Sequence, residues 1–278
     1  MSKSEKDIDK KVKEAQKTNN DEKPKSQLEI LVDQLCEGIE TYREKESKVF
    51  ISAITAGLEI GFSFLLIAIL YTILKNRIAD DVIFYVLALA YPIGFIIVVL
   101  GKSILFTEQT SLLSLPVFHK KRSFKELLKL WGIVISGNLI GGYIFSFLGV
   151  NISLALEIIT IDSLEKIAHH VTKAEGLIIF GSAIFAGWLM AVLSWLLSSS
   201  KETISRIVVV YIITFVVGFA GFHHSIVGSI EVFSGLLFTH DISISEYLSF
   251  QGITLAGNAV GGVIFVGALR YRANASNF

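Results

Sequence analysis

Long apolar runs separated by short polar gaps organise most of this chain. About 20 consecutive apolar residues carry a helix across the hydrocarbon core of a bilayer. Six segments qualify: residues 49–74, 82–104, 127–149, 176–198, 207–222 with an apolar extension to 239, and 247–269. The second and fifth are interrupted. Leu105-Phe106-Thr107-Glu108-Gln109-Thr110 separates the second from a further apolar stretch between Ser111 and Phe118. Gly218, Gly221, His223, His224 and Ser225 break the fifth before Ile226 resumes it. Backbone that leaves the helix at membrane depth is tolerated only where protein or water takes its hydrogen bonds, so both breaks are predicted to line a cavity.

The apolar segments also repeat. Gly137-Asn138-Leu139-Ile140-Gly141-Gly142 recurs 120 positions later as Gly257-Asn258-Ala259-Val260-Gly261-Gly262. Ser52-Ala53-Ile54-Thr55-Ala56-Gly57 is echoed by Ser182-Ala183-Ile184-Phe185-Ala186-Gly187. Shifting Thr107 by the first offset lands close to the histidine pair. Each copy then holds three spans with a broken middle one. Three is odd, so the second copy enters the membrane from the opposite side. The predicted fold class is an all-α membrane protein of six transmembrane helices in two inverted three-helix repeats, spans two and five broken. Such repeats build a pathway between their halves, which points to a transporter or channel. Gly137 with Gly141, and Gly257 with Gly261, form smooth stripes where another helix can approach. Asn138 and Asn258 are suited to bonding the backbone freed at the breaks, with plain helix packing as the alternative role. No strand precedes these glycines and no lysine follows them, so they are not a phosphate loop.

Composition and charge narrow the picture. Hydrophobic residues make up 52% of the 278, charged residues 18%, and the formal net charge is zero. A chain without a basic field offers nothing to nucleic acid. Its one cysteine, Cys36, excludes a disulfide framework. No apolar core lies near the start, so no cleaved leader is expected. Residues 1–48 are predicted to form a polar cytoplasmic arm, largely disordered to residue 27. Leu28, Leu31, Val32 and Leu35 have helical spacing, predicting a short amphipathic helix on the membrane face or a neighbouring subunit. Residues 49–270 form the membrane domain and 271–278 a tail. Lys120, Lys121, Arg122 and Lys125 crowd one gap, and Arg43, Lys45, Lys48, Lys201, Arg206, Arg270 and Arg272 fall on its side. That excess predicts cytoplasmic termini in a plasma or inner membrane.

In combination, Leu105-Phe106-Thr107, Gly221-Phe222-His223-His224-Ser225-Ile226 and the two Gly-Asn-x-x-Gly-Gly copies resemble the formate/nitrite transporter family over about residues 49–270. Ala186-Gly187-Trp188 and Val227-Gly228-Ser229-Ile230-Glu231-Val232 look like its divergent branch. The resemblance implies an aquaporin-like fold, a homopentamer and one pore per protomer for small monovalent anions or their conjugate acids, such as formate, nitrite or hydrosulfide. It implies that Leu105 and Phe106 form an apolar constriction, that Thr107 faces a central chamber, and that His224 is the central histidine. Tyr91 and Phe95 fall at the family's cytoplasmic constriction, and Lys173 lies nearest its vestibule lysine. This chain departs from the pattern at Glu108, where a small residue is usual, at His223, at Val217, where an aromatic gate is common, and at Gly228.

A bare anion crosses apolar rings only at a cost of several kcal/mol, whereas its neutral acid passes easily. Imidazole can supply and recover the proton. The expected sequence is capture by Lys173, attraction by backbone N–H groups at the breaks, protonation or polarisation at His224 with Thr107, and passage by Phe106 or Phe95. Glu108 is expected either to bond the loop backbone or to make the pathway less welcoming to anions. Glu231 is expected at a subunit contact or the repeat interface. No cofactor, metal site or enzymatic activity is expected, since His223 and His224 are poorly spaced for chelation and no His-Glu-x-x-His occurs. A channel for water, ammonia or urea, or a non-transporting scaffold, would use the same architecture.

Overall fold

The computed structural model describes residues 24–271. Residues 1–23 of the expected polar arm and the tail from 272 onward lie outside the described residues. Within them every regular element is helical: α1 (Gln27–Arg43), α2 (Glu46–Leu74), α3 (Asp80–Leu87), α4 (Pro92–Gly101), α5 (Phe106–Phe118), α6 (Phe124–Ala155), α7 (Ile161–Thr172), α8 (Gly176–Ser199), α9 (Thr203–Phe219), α10 (Ser225–Phe238) and α11 (Ile244–Val263), which runs on into a π-helical turn, Ile264–Tyr271.

Polar signals set where the helices start. Ser26, Ser123 and Ser243 cap α1, α6 and α11, each hydroxyl accepting the N–H of Glu29, Glu126 or Glu246. Each glutamate reaches back to the serine N–H, closing a capping box. Those backbone bonds, then the serine hydroxyls, hold the Glu29 and Glu246 carboxyls below their usual range.

Among the described residues, four stretches are long and apolar enough to cross a membrane: Glu46–Leu74, Asp81–Gly101, Phe124–Ala155 and Gly176–Ser199. The predicted fifth segment is divided into the shorter apolar helices α9 and α10. The sixth, within α11, carries Gln251, Thr254 and Asn258 on its buried face, which dilutes its apolar character. The second stretch is bent between α3 and α4, where Pro92 opens the new helix without needing an N–H acceptor. Ser63 on α2 staples this bend: its hydroxyl donates to Tyr91 O (2.6 Å) and accepts the Gly94 N–H (2.9 Å).

Close helix contacts explain the repeated glycines. α2 packs against α6, and α8 against α11. A methyl group built on Gly57 would sit 2.1 Å from the Asn138 carbonyl oxygen, and one on Gly187 would sit 2.1 Å from that of Asn258. The Gly141 and Gly261 positions meet the carbonyls of Ile54 and Ile184 at 2.1 and 2.0 Å. Backbone touches backbone at matching places in both pairs, which only a hydrogen side chain permits.

Two features depart from expectation. α1 reaches Arg43 and packs one face on its own chain. Ile30, Leu31 and Leu35 pack with Leu115, Ala191, Trp195 and Phe265, while Gln34 donates to Ser194 Oγ at 3.1 Å. The second is α7, an amphipathic helix in a gap read only for its charges, burying Leu164, Ile167 and Ala168.

Valine at Gly57 or Gly187 is expected to prise the paired helices apart, destabilising the fold by about 1–3 kcal/mol or more. A lowered melting temperature in detergent checks this. Valine at Gly132, which has nothing within 4 Å of its Cβ position, should leave it unchanged.

Candidate functional site

Residues 102–105 and 220–224 are the non-helical links that precede α5 and α10. Lys102 adopts a left-handed conformation (φ 56°) at the first, and Gly221 (φ 66°) at the second. Matching polar side chains bracket both. At the first, Asn138 Oδ1 accepts the Phe106 N–H (2.8 Å), and its amide donates to Ile104 O (2.9 Å) and Ala53 O (2.8 Å). At the second, Asn258 Oδ1 accepts the Ser225 N–H (2.8 Å), and its amide donates to His223 O (3.0 Å) and Ala183 O (2.8 Å). Ser52 Oγ accepts the Ile104 N–H, as Ser182 Oγ accepts that of His223. Both repeated motifs thus converge on the links.

The two helix starts meet at Thr107 and His224. Thr107 Oγ1 lies 2.7 Å from His224 Nε2, and both residues are buried. His224 is also the N-cap of α10, its Nδ1 accepting the N–H groups of Ile226 and Val227 at 3.3 Å. An Nδ1 that accepts carries no proton, so the neutral ring bears its hydrogen on Nε2 and donates it to Thr107. The threonine hydrogen is left for another acceptor. Nearly all the α10 N–H groups at this end are already taken. At α5, whose N-cap Leu105 offers no side-chain acceptor, the N–H groups of Thr107 and Glu108 lack intrahelical partners.

Two cavities approach this pair from opposite ends of the same helices. The first, of about 470 Å³, includes His224 in its wall, together with Tyr91, Val217, Glu231, His170 and Lys173. The second, of about 560 Å³, is lined by Glu108, Gln109, Lys102, Arg206 and several acidic residues of α1. Val217 in the first and Arg206 in the second stand at opposite ends of α9, roughly 17 Å apart at 1.5 Å per residue. Leu105, Phe106, Thr107 and Phe95 line neither cavity and are almost wholly buried. Phe95 meets the His224 ring edge-on at 5.1 Å, and Tyr91 stacks on Phe95 at 5.4 Å.

Several expectations need correcting. Tyr91 does not share a mouth with the α1 end; it opens on the other cavity, because the bend at Pro92 turns it toward α9 and α7. Glu231 faces that cavity rather than a helix contact, since it follows Gly228 and Val227 by one turn on the wall side of α10. Glu108 makes no side-chain bond to the link and points instead into the second cavity. His223 is fully engaged, its Nε2 donating to Val171 O (3.0 Å) and its Nδ1 accepting from Ser182 Oγ (2.8 Å). It ties the second link to the end of α7, where Lys173 borders the first cavity. Residues unforeseen from sequence are Ser63, Ser182 and His170. Ser182 was visible in the repeated motif without its role.

His170, on α7 outside the apolar segments, stacks flat on Phe84 with centroids 3.5 Å apart. Burial first, then the nearby Lys173 charge, lowers its pKa to about 4.

The formate/nitrite transporter family model matches residues 29–272. The inner membrane protein YfdC of Escherichia coli (strain K12) is 34% identical over 229 residues, covering 81% of this chain and 71% of that protein. A probable formate transporter of Methanothermobacter thermautotrophicus is 25% identical over 256 residues, covering 84% and 92%. Among solved structures, an FNT family ion channel matches with a TM-score of 0.79 at 20% identity, covering 88% of this chain and 99% of that one. A pentameric formate channel with formate bound matches with a TM-score of 0.69 at 22% identity, covering 83% and 98%. The fold is shared with both.

Two outcomes follow. Leucine at Asn258 strands one donor and two acceptors, so Asn258→Leu should cost about 3 kcal/mol or more, read as a lowered melting temperature; Asn138→Leu should behave alike. For His170, the unfolded ring gains a proton near pH 6.5 and the folded ring only near pH 4. Folding stability should therefore fall as pH drops between these values. His170→Phe, which keeps the stack, should flatten that part of a melting-temperature profile.

Proposed function

Because this chain belongs to the formate/nitrite transporter family, a family of multi-pass membrane transporters and channels, we propose that it carries small monovalent anions, or their conjugate weak acids, through one pathway per protomer. The carrying observation is the buried Thr107–His224 pair, 2.7 Å apart between two cavities. The matching brackets at residues 102–105 and 220–224 support the finer architecture: six spans in two inverted repeats, with spans two and five broken. The formate-bound pentameric relative supports a homopentamer and a formate-like cargo. Charge placement supports cytoplasmic termini, with residues 1–48 as an arm, 49–270 as the membrane domain and 271–278 as a tail.

Lys173 at the rim of the first cavity concentrates anions there, by charge rather than by fixed geometry. Val217 and Tyr91 narrow the route toward His224. Leu105, Phe106 and Phe95 form the dry stretch beyond it, where an unpaired charge is costly. At the midpoint the Thr107 hydroxyl donates to the cargo oxygen, strengthened because it accepts from His224 Nε2–H at the same time. Polarisation fits this ring better than full protonation, since a second proton on Nδ1 would displace both bonds that cap α10. The open N–H groups of Thr107 and Glu108 add their share of positive potential. Glu108 and Glu231 place a carboxyl in each cavity, which favours the neutral acid over the bare anion.

His224→Asn separates capping from transport. Asparagine is a good N-cap but is too short to reach Thr107. The variant should keep its melting temperature and oligomeric state while the initial rate of formate uptake into proteoliposomes falls about tenfold or more, roughly 1.4 kcal/mol in the barrier. Thr107→Val should show the same fall and Thr107→Ser should restore uptake. Unchanged uptake in both His224→Asn and Thr107→Val refutes the role given to the pair.

A further inference from the structure

Beside the first cavity, three side chains with no part in the pathway converge. Glu165 and His169 stand one turn apart on α7, so they share a helix face. Asp241 lies in the turn between α10 and α11. One metal-binding atom from each lies within 4.8 Å of the other two. Glu165 is half-buried, and His169 and Asp241 are exposed. Among the described residues, no side-chain hydrogen bond or salt bridge engages any of the three; Asp241 is held only through its backbone, by Thr239 Oγ1. Glu246, a third carboxylate, is near enough to feel the His169 charge.

The cluster joins an imidazole to two carboxylates from separate elements of the fold. Two carboxylates held this close repel each other, and free side chains would turn outward into water. A divalent cation ligated by all three would offset that repulsion. An imidazole among the donors selects a first-row transition metal over calcium or magnesium, which take oxygen ligands alone. Zinc bonds of about 2.0–2.2 Å set neighbouring ligand atoms roughly 3–4 Å apart. Small side-chain rotations of the two exposed residues reach that spacing, and water completes the shell.

We infer that Glu165, His169 and Asp241 form a binding site for a divalent transition metal such as zinc, clamping α7 to the α10–α11 turn. The same short helix carries His170 and Lys173 into the wall of the first cavity. A bound ion would therefore fix that wall from outside, without entering the route. The site stands independently of what the cavity carries.

The test is isothermal titration of zinc chloride into the full-length protein, purified in detergent without a polyhistidine tag and stripped with chelator. One zinc per chain is expected. His169→Ala and Asp241→Asn should each weaken it at least tenfold, while His119→Ala, at the far end of α5, should not. Zinc should also raise the melting temperature of the unaltered protein and not that of His169→Ala. In metal-free buffer His169→Ala and Asp241→Asn should melt with the unaltered protein, so a lost signal is not lost folding. Absence of zinc binding, or binding that His169→Ala and Asp241→Asn leave intact, overturns the assignment.

Discussion

Two helices begin deep within this fold, and helix beginnings carry backbone N–H groups that need acceptors. In water the solvent supplies them; inside an apolar bundle the protein must. Asn138 and Asn258 meet that demand, each presenting an oxygen to the new helix, one hydrogen to the link before it and the other to a neighbouring helix. Ser52 and Ser182 take one more N–H apiece. Once these four side chains are in place, the chain can leave the helix with most backbone groups of the links paired, and the space beside each link becomes usable. The glycine contacts serve the same end. They bring α2 to α6 and α8 to α11 closely enough for each asparagine to reach the carbonyls of Ala53 or Ala183.

Much of this was legible in the sequence because it is written twice. A motif such as Gly-Asn-x-x-Gly-Gly recurring at a fixed offset marks a position where one constraint acts in two places, and both breaks were visible as polar residues inside apolar runs. What stayed hidden depended on direction. Glu231 and Glu108 were recognisable as carboxyls in apolar surroundings, yet nothing local says which wall of a helix faces a cavity. Tyr91 was misplaced because the bend at Pro92 is fixed by Ser63, a residue on another helix with no pattern of its own. α7 was missed for a related reason: its apolar positions are few, and the gap was read for charge alone. His223 and His224 look interchangeable as letters. Their roles diverge only because one ring meets Val171 and Ser182 while the other meets Thr107.

Charge around the centre is divided rather than uniform. Lys173 and His170 border one cavity, Lys102 and Arg206 the other, and each is also lined by carboxylates. On the proposed route, a solute entering from either end would meet attraction and repulsion within a few residues, and selection between charged and neutral forms would rest on groups outside the dry stretch.

The bracketing is duplicated, but the caps are not. Leu105 leaves the start of α5 electrically open, whereas His224 quenches the start of α10 with its own ring nitrogen. A frame with near-equal halves thus encloses a polar core with a front and a back. On the transport role proposed above, such a lopsided centre would pass its cargo more readily one way under a gradient, while at balance the two flows would still cancel. Rectification would then be set by which residue occupies two cap positions.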